Sequence, residues 1–357
     1  MEQRPNEHRP SELREREQMD QKRAFEKILQ ASLCMTRQCW EQGMLSYALL
    51  ECLGRSEKKE PQLKDLLEMI VYDMVLRQSS DGRLCNVEDT PAVTDSAFCI
   101  PAVLAVGEMM KNEAYVRAAH ANAEYLLHDA GRTAKETGGI LYHMRGTQQI
   151  WADSAAFLPY ALVITGHPVE GYDQMIGILD RLYLPETGLY AHIWDEGSQS
   201  WPDRNAWSIG IGWILTGLER TWQALPADMV AQRKDLREKY LSLLEKVLPF
   251  QQEDGGFHDV MDDPGTYMET EAPCMIACGI YAGILDGMVE KEAGLLSHAD
   301  AMCVYVCGKT LADGRVADAA SSPAFDRPGT AVECQAHALM MLALKRATEV
   351  HNGELCG

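Results

Sequence analysis

The sequence lacks the long apolar runs of a membrane protein and the apolar core of a signal peptide. Its longest uncharged stretches, such as residues 154–169, are too short to cross a bilayer. The N-terminal segment is densely charged and contains no apolar run, so no export signal is expected. Eleven scattered cysteines in such a chain indicate reduced thiols and a cytoplasmic protein.

An excess of positive charge is also missing. The chain has 33 Lys and Arg against 53 Asp and Glu, which gives a formal net charge of −20. Such a surface repels polyanions, so nucleic acids and anionic membranes are not expected as partners. An acidic ligand would need local positive groups to bind.

The common motifs for nucleotide, metal and serine-nucleophile chemistry are absent as well. The sequence has no P-loop, no Rossmann glycine fingerprint, no HExxH and no GxSxG. The cysteine pairs 274/278 and 303/307 have a spacing that a zinc site could use, but small buried residues explain them more simply. We therefore predict neither a metal nor a cofactor.

What the sequence does contain is a repeat. A glycine turn recurs five times, and each turn leads through a polar loop into an apolar helix, which a more polar helix follows. The glycines at the shared position are Gly82, Gly139, Gly188, Gly255 and Gly314. Helices that are apolar on most faces lie inside a fold, and helices with one apolar stripe lie outside. The pattern predicts an all-α (α/α)6 toroid, with an open solenoid of helix pairs as the alternative.

Twelve helices follow from this pattern. Amphipathic helices are predicted at 21–38, 61–78, 114–128, 171–184, 230–250 and 292–311, and apolar helices at 40–54, 95–110, 153–164, 206–218, 269–285 and 330–347. No Pro/Gly/Ser-rich linker divides the chain, so residues 19–350 are expected to form one catalytic domain. Residues 1–18 are expected to form a disordered arm.

Acidic residues recur where four of the apolar helices begin. Asp95, Asp153, Glu269 and Glu333 lie 13, 14, 14 and 19 residues after their glycines. Glu269 and Glu333 are interpreted as N-caps or as acids of a first helical turn. Asp95 and Asp153 share the sequence Asp-Ser-Ala, which capping or an old duplication would also explain. Two acids at one apolar mouth would push their pKa values apart, so that one stays protonated and the other charged.

Aromatic residues, histidines and arginines accompany these acids. Five of the seven tryptophans are Trp151, Trp194, Trp201, Trp207 and Trp213. Flat indole rings suit sugar faces, although packing between loops and helices is an equal alternative. The histidines His143 and His192 each follow a glycine turn by four residues, which favours a shared role. The loop arginines Arg145 and Arg204 could bind a carboxylate, or could simply be solvated.

These features occur in a recognisable order. The order is Trp40-x-x-Gly43, Asp95 before an apolar helix, Gly138-Gly139…His143…Trp151-x-Asp153, Trp207…Gly212-Trp213, and Asp254-Gly255-Gly256…Tyr267-x-Glu269. It resembles the unsaturated rhamnogalacturonyl hydrolases of glycoside hydrolase family 105. It is similar, more distantly, to the unsaturated glucuronyl hydrolases of family 88. The resemblance covers nearly all of residues 40–347 and implies the same toroid.

The resemblance also implies a reaction. Such enzymes remove a 4,5-unsaturated uronic acid from the non-reducing end of pectin-type oligosaccharides by hydrating its vinyl ether. By this likeness, Asp153 would protonate the double bond and then accept a proton from water, while Asp95 would place the sugar and hold the proton on Asp153. The expected substrate-binding residues are His143, Arg145, Trp151, His192, Arg204, Trp207, Trp213 and Trp40. The expected partner is a small oligosaccharide, and the oligomeric state stays open.

One position departs from the family pattern. The family commonly has Trp-x-Arg-x-x-Gly-Trp, and here Ile209 stands in the place of the arginine. Losing one charged bond to a carboxylate would cost roughly 1.5–3 kcal/mol in binding. Either Arg145 or Arg204 replaces that arginine, or the ligand is less acidic or differently linked.

Two other functions remain open at the level of the sequence. A sugar epimerase or isomerase on the same toroid would use His143 and His192 as acid and base. A toroid that binds carbohydrate or a protein without catalysis is the third candidate, and Ile209 gives it some weight.

Overall fold

The structure, a computed structural model, describes residues 11–56, 60–86, 92–291, 293–321 and 325–353. Its α-helices in these residues are α1 (Ser11–Met35), α2 (Cys39–Arg55), α3 (Pro61–Leu76), α4 (Ile100–Met110), α5 (Glu113–Glu124), α6 (Ser154–Ile164), α7 (Pro168–Leu182), α8 (Ser208–Ala224), α9 (Val230–Val247), α10 (Glu271–Leu285), α11 (Ala293–Gly308) and α12 (Val332–His351). A 3₁₀ turn, Asp95–Cys99, leads directly into α4. The helix positions follow the predicted pattern closely.

The even-numbered helices form a closed inner ring. Each packs against the next one, α12 packs against α2, and the 3₁₀ turn before α4 contacts both α2 and α6. The odd-numbered helices lie outside, each against one or two inner helices. The predicted (α/α)6 toroid is therefore confirmed, and the open solenoid is wrong.

The burial of side chains explains this arrangement. In α10, every residue from Glu271 to Ile284 is buried, because inner helices have neighbours on all sides. In α9, by contrast, the buried residues are confined to one stripe, as the spacing predicts. That stripe consists of Leu236, Tyr240, Leu243, Leu244 and Val247.

The glycine turns of the repeat fasten the loops to the outer ring. All five shared glycines have a positive φ, for example +97° at Gly255 and +93° at Gly314. A Cβ atom on Gly255 would lie 2.3 Å from the carbonyl oxygen of Ala301 in α11. A Cβ atom on Gly314 would lie 2.2 Å from that of Lys27 in α1. Only glycine combines this conformation with so close an approach to a neighbouring helix.

Short strands join the loops at the mouth of the ring. They are β1 (Gln149–Trp151), β2 (Tyr183–Leu184), β3 (Leu189–Tyr190), β4 (Ile193–Asp195), β5 (Ser200–Asp203), β6 (Phe257–His258) and β7 (Met268–Glu269). An antiparallel sheet has the order β1-β4-β5, with Trp151 opposite Ile193. The pairs β2–β3 and β6–β7 form two smaller sheets. The first sheet carries the loop residues of the site onto the inner ring.

The N-terminal part differs from the prediction. Helix α1 begins at Ser11, so residues 11–18, which were expected to lie in a disordered arm, are helical. Their sequence, SELREREQ, is rich in good helix formers, and its high charge density obscured this propensity. Residues 1–10 lie outside the described residues. No helix of the described residues has both the length and the apolar character needed to cross a membrane.

Candidate active site

All six inner helices begin at the same end of the ring and contribute a side chain there. Three of these side chains come from the residue just before a helix or from its 3₁₀ entry, and the other three come from a first turn. The six residues are Trp40, Asp95, Asp153, Trp207, Glu271 and Glu333. The mouth therefore collects the N-termini of six helices together with four acids.

Asp153 lies between β1 and α6, where a polar loop meets an apolar helix. Its Oδ2 atom is buried and has no hydrogen-bond partner among the described protein atoms. The ring of His192 approaches it, with Nε2 at 3.6 Å from Oδ2. This distance is longer than a hydrogen bond but short enough for a strong charge interaction in a buried site.

His192 is held in place from several sides. Its Nδ1 atom lies 2.9 Å from Oδ2 of Asp203. Its ring contacts Trp151 edge-on at 5.6 Å and Trp207 at 4.5 Å between centroids. Burial lowers the pKa of His192, but the two carboxylates of Asp153 and Asp203 outweigh this effect and raise it to about 9. The ring is a cation at neutral pH.

The two central acids differ in charge. Burial raises the pKa of Asp153, but the neighbouring His192 cation outweighs burial and holds the pKa below its ordinary value. Asp95 is 8 % exposed, and burial and the charge of Asp153 together raise its pKa to about 7. The predicted separation of the two pKa values is confirmed. In the free protein the charged acid is Asp153, because the cation lies beside Asp153 and not beside Asp95. The expected role of Asp153 in protonating the double bond stays a prediction.

His143 connects the two helix starts that carry these acids. Its Nδ1 atom lies 2.9 Å from Oγ1 of Thr94 and 3.0 Å from Oγ of Ser154. Its ring stacks on Trp151 at 4.4 Å with an interplanar angle of 7°. Burial lowers the pKa of His143 to about 4, so the ring is neutral. Both histidines of the predicted pair therefore contact the same tryptophan, and one of them is neutral while the other is charged.

Two further acids and a histidine lie on the neighbouring helices α10 and α12. Glu333 accepts a hydrogen bond of 2.8 Å from Nε1 of Trp40, and burial raises its pKa to about 8. Glu271 accepts a hydrogen bond from Ser321, and its Oε1 lies 3.4 Å from Nδ1 of His337. Burial and then the charge of Glu333 raise the pKa of Glu271 well above its ordinary value. The charge of Asp153 contributes to both shifts, which places these acids around the same site.

The structure bears out the interpretation of two of these acids and adds a residue. Glu269 accepts backbone hydrogen bonds from Glu271 at 2.7 Å and Ala272 at 2.6 Å, so its predicted capping role is confirmed. Glu333 lies in the first turn of α12, as predicted, and it also accepts the hydrogen bond from the indole of Trp40. Glu271 was not predicted at all. The sequence does contain a signal for Glu271, since it is an acid at the start of the otherwise apolar helix α10. Glu269, two residues earlier, already explained that helix start, so Glu271 was overlooked.

The predicted tryptophans of the central part of the chain lie in three different places. Trp151 and Trp207 flank His192, and Nε1 of Trp207 donates to Asp259 at 3.2 Å. Trp213 lies deeper in the ring and packs against Phe98 and His337. Trp194 and Trp201 pack against each other at 5.0 Å, as the alternative of loop packing predicts.

The two loop arginines lie elsewhere. Arg204 pairs with Glu186 and covers the ring of Trp201 at 5.2 Å. Arg145 is exposed, and its charge acts on Tyr125 in the outer ring. Ile209 is fully buried and adds no polar group to the mouth. Next to Asp153, the structure places the His192 cation instead of an arginine.

The sequence itself is related to a known family. The profile of glycosyl hydrolase family 88 matches residues 3–344. The chain belongs to glycosyl hydrolase family 88. This confirms the resemblance to the unsaturated uronyl hydrolases that the motif order indicates, and it makes the protein a glycoside hydrolase.

Relatives of this family 88 member are known in sequence and in structure. It is 24% identical over 325 residues to the unsaturated rhamnogalacturonyl hydrolase YesR of Bacillus subtilis (strain 168), which covers 86% of this chain and 84% of YesR. A possible family 105 member from Salmonella enterica serovar Paratyphi A superposes with a TM-score of 0.80 at 17% identity over 96% of both chains. The unsaturated glucuronyl hydrolase of Bacillus sp. GL1 superposes with a TM-score of 0.67 at 16% identity over 86% of both chains. At these identities, the structural likeness establishes the fold.

Proposed function

We propose that this family 88 protein removes a 4,5-unsaturated uronic acid from the non-reducing end of pectin-type oligosaccharides. The observation that carries the proposal is the arrangement at Asp153. A charged acid lies beside a histidine cation that contacts two tryptophans, and a second acid with a pKa near 7 lies close enough to feel the charge of the first. The names of the relatives support the same class of substrate.

The reaction begins at the vinyl ether of the unsaturated sugar. Its C4 carbon is electron-rich because the ring oxygen on C5 donates into the double bond, so an acid can protonate C4 directly. Asp153, once protonated, delivers this proton, and the positive charge develops at C5 and the ring oxygen. Asp153 then accepts a proton from the water that attacks C5. The resulting hemiketal opens and releases the remaining oligosaccharide.

Asp95 supports this step from the neighbouring helix. With a pKa of about 7, it can donate a hydrogen bond to the sugar from a protonated carboxyl group. His143 fixes the two helix starts, and thereby the distance between the acids, through Thr94 and Ser154. We propose that Trp151 and Trp207, which contact His192, border the sugar site beside this ring and that Trp40, through its bond to Glu333, borders the same site.

The acid group of the sugar needs positive potential at a site that lacks the family arginine. In the free protein, His192 supplies one positive charge to the approaching sugar. The N-termini of the six inner helices add partial positive charges that all point toward the mouth. Four of the acids there, Asp95, Glu269, Glu271 and Glu333, have raised pKa values and hold less negative charge than their number implies.

The test follows the conjugated double bond in the ultraviolet. The purified protein is mixed with lyase digests of pectin, ulvan and glycosaminoglycans, and we expect the absorbance of the unsaturated ends to disappear with the pectin digest. Asp153→Asn removes the acid and should lower kcat by at least about a hundredfold. Asp195→Asn changes an acid of β4 whose side chain bonds to Ser198, and it should keep wild-type activity.

Two outcomes would contradict the proposal. Full activity in Asp153→Asn would remove this residue from the mechanism. Exchange of substrate protons with deuterated water without bond cleavage would instead favour an epimerase. The pKa values of about 4 for His143 and about 9 for His192 argue against that second function, because an acid–base pair works best with pKa values near the operating pH.

We also propose that residues 19–350 act as one catalytic domain in the cytoplasm. The closed inner ring takes helices from nearly the whole of this range, and removing any of them would open the site. The ten cysteines of the described residues are free thiols, which suits a reducing compartment.

A further inference from the structure

Asp203 is a second carboxylate next to His192, in addition to Asp153. It ends β5, and its Oδ2 atom lies 2.9 Å from Nδ1 of His192, while Nε2 on the other side of the ring faces Asp153 at 3.6 Å. The second carboxylate oxygen, Oδ1, accepts a backbone hydrogen bond of 3.1 Å from Asn205. Asp203 is thus oriented from both sides, and the histidine lies between two carboxylates.

The backbone holds His192 in this orientation. Its N–H donates to the carbonyl of Asn205 at 3.1 Å, and its carbonyl accepts from Ala152, the neighbour of Asp153, at 2.9 Å. Trp151 and Trp207 both pack against the ring, at 5.6 and 4.5 Å between centroids. Because these contacts leave the ring little room to turn, Nδ1 stays with Asp203 and Nε2 stays toward Asp153.

On the basis of the proposed function, we propose that Asp203, His192 and Asp153 form a proton relay. In the resting enzyme, His192 carries the proton that Asp153 later delivers to the double bond. Asp203 is the positioning residue that keeps the proton on His192 and the ring in the productive orientation. The relay resolves the conflict between a mechanism that needs Asp153 as an acid and a free protein in which Asp153 is charged.

The proton balance of the relay closes within the site. When the sugar binds and excludes water, the proton on Nε2 passes to Oδ2 of Asp153, which leaves a neutral imidazole and a carboxylic acid. Asp153 then gives the proton to C4 of the sugar and receives one from the attacking water. After the product leaves, this proton returns to Nε2. One water is added to the sugar, and no further reactant is needed.

Other titratable groups face this relay but do not occupy its outer end. The charge of Asp153 acts on Asp95, Glu271 and Glu333, the charge of His192 acts on Asp259, and His143 acts on Asp153. Among the described residues, Asp203 alone has a carboxylate within hydrogen-bond distance of Nδ1. The charge on the outer end of the relay is therefore set by Asp203.

The first experiment tests the relay in the free protein and needs no substrate. The ring nitrogens of His192 are followed by ¹⁵N NMR across pH in wild type and in Asp203→Asn, with His192→Gln used to assign the signal. The asparagine oxygen can still accept from Nδ1, but it carries no charge. We expect the midpoint of His192 to fall by about one to three pH units. An unchanged midpoint would overturn the role of Asp203.

The second experiment measures kcat/KM against pH on the pectin digest. Since His192 must be protonated to load Asp153, the alkaline limb should move to lower pH in Asp203→Asn by the same amount as the NMR midpoint. Asp203→Glu restores the charge and should restore part of the shift. Asp195→Asn, in the same sheet, should leave the profile unchanged.

The two experiments separate the possible failures. A lower kcat with an unmoved alkaline limb would mean that Asp203 only supports the loop, and the relay would be wrong. A shifted NMR midpoint without turnover of any unsaturated oligosaccharide would mean that the proposed function fails, although the charge arrangement stands. A shift in both measurements, with rescue by Asp203→Glu, would establish the relay.

Discussion

At the scale of single residues, one contact decides which acid of a pair is charged. Asp95 and Asp153 share the sequence Asp-Ser-Ala and both start inner helices, yet one has a raised and the other a lowered pKa. The difference arises because His192 approaches Asp153 and not Asp95. The local sequence places an acid at the start of each of these helices. The charge of Asp153, however, is set by His192, which comes from a loop of another repeat.

The effect of burial on the pKa of an acid can be measured at Glu333 through the pH dependence of protein stability. The pKa of Glu333 is raised from 4.5 to about 8 in the folded protein. The unfolded chain therefore loses its proton first, and the free energy of unfolding falls by about 1.4 kcal/mol per pH unit between the two values. Glu333→Gln keeps an oxygen for the bond from Trp40 but removes the titration. We expect its melting temperature to fall less than that of wild type between pH 5 and pH 8.

The control for this prediction is an exposed glutamate. Glu238 in α9 has a side chain that is 63% exposed and pairs only with Lys234 on the same helix. Glu238→Gln should follow the wild-type dependence on pH. If Glu333→Gln also follows it, the buried carboxyl group is not the source of the lost stability.

Part of the site could be predicted from the sequence, and the rest could not, for physical reasons. Asp153, Asp95, His143 and His192 occur at equivalent positions of the repeat, so the sequence alone brings them to one end of the ring. Asp203 follows no such rule, because its contact with His192 depends on the pairing of β4 with β5. Arg145 and Arg204 were plausible by residue type, but side-chain direction is not encoded in their spacing.

At the scale of elements, the glycine turns determine how each loop enters the inner ring. Gly255→Ala would place a methyl group against the carbonyl of Ala301 in a backbone conformation that L residues rarely adopt. We expect this substitution to lower the free energy of unfolding, measured with a denaturant, by about 1–3 kcal/mol or more. Gly294→Ala in α11 meets no neighbour within 4 Å and should be neutral or stabilising by up to about 1 kcal/mol. Equal effects of the two substitutions would contradict the packing role of the turn.

The elements themselves were largely predictable. Hydrophobic periodicity located all twelve α-helices of the described residues, because an inner helix is apolar on most faces and an outer helix has one stripe. Strands of two to four residues, such as β2 and β5, were not predicted. They are too short to show the alternation of apolar and polar residues that indicates a strand. The start of α1 was missed because charge density suggested disorder where helix propensity was high.

At the scale of the whole molecule, the net charge of −20 should act on any anionic substrate before it reaches the mouth. Salt screens this repulsion, so kcat/KM for an unsaturated uronyl oligosaccharide should rise, by a factor on the order of two, between about 10 and 200 mM NaCl. The turnover number at saturating substrate should stay constant, because screening affects the encounter and not the buried groups. A fall in kcat/KM with salt would contradict this expectation and reveal a positive patch that guides the substrate.

The bond between Trp40 of α2 and Glu333 of α12 joins residues that are 293 positions apart in the chain. During translation, α2 therefore lacks its neighbour α12 until this last inner helix has been synthesised. A nascent chain that lacks α12 would expose the apolar edges of two inner helices to chaperones and proteases. Catalytic activity can arise only after the ribosome has released nearly the full sequence, so premature termination within the last hairpin should yield degraded protein and not a partially active enzyme.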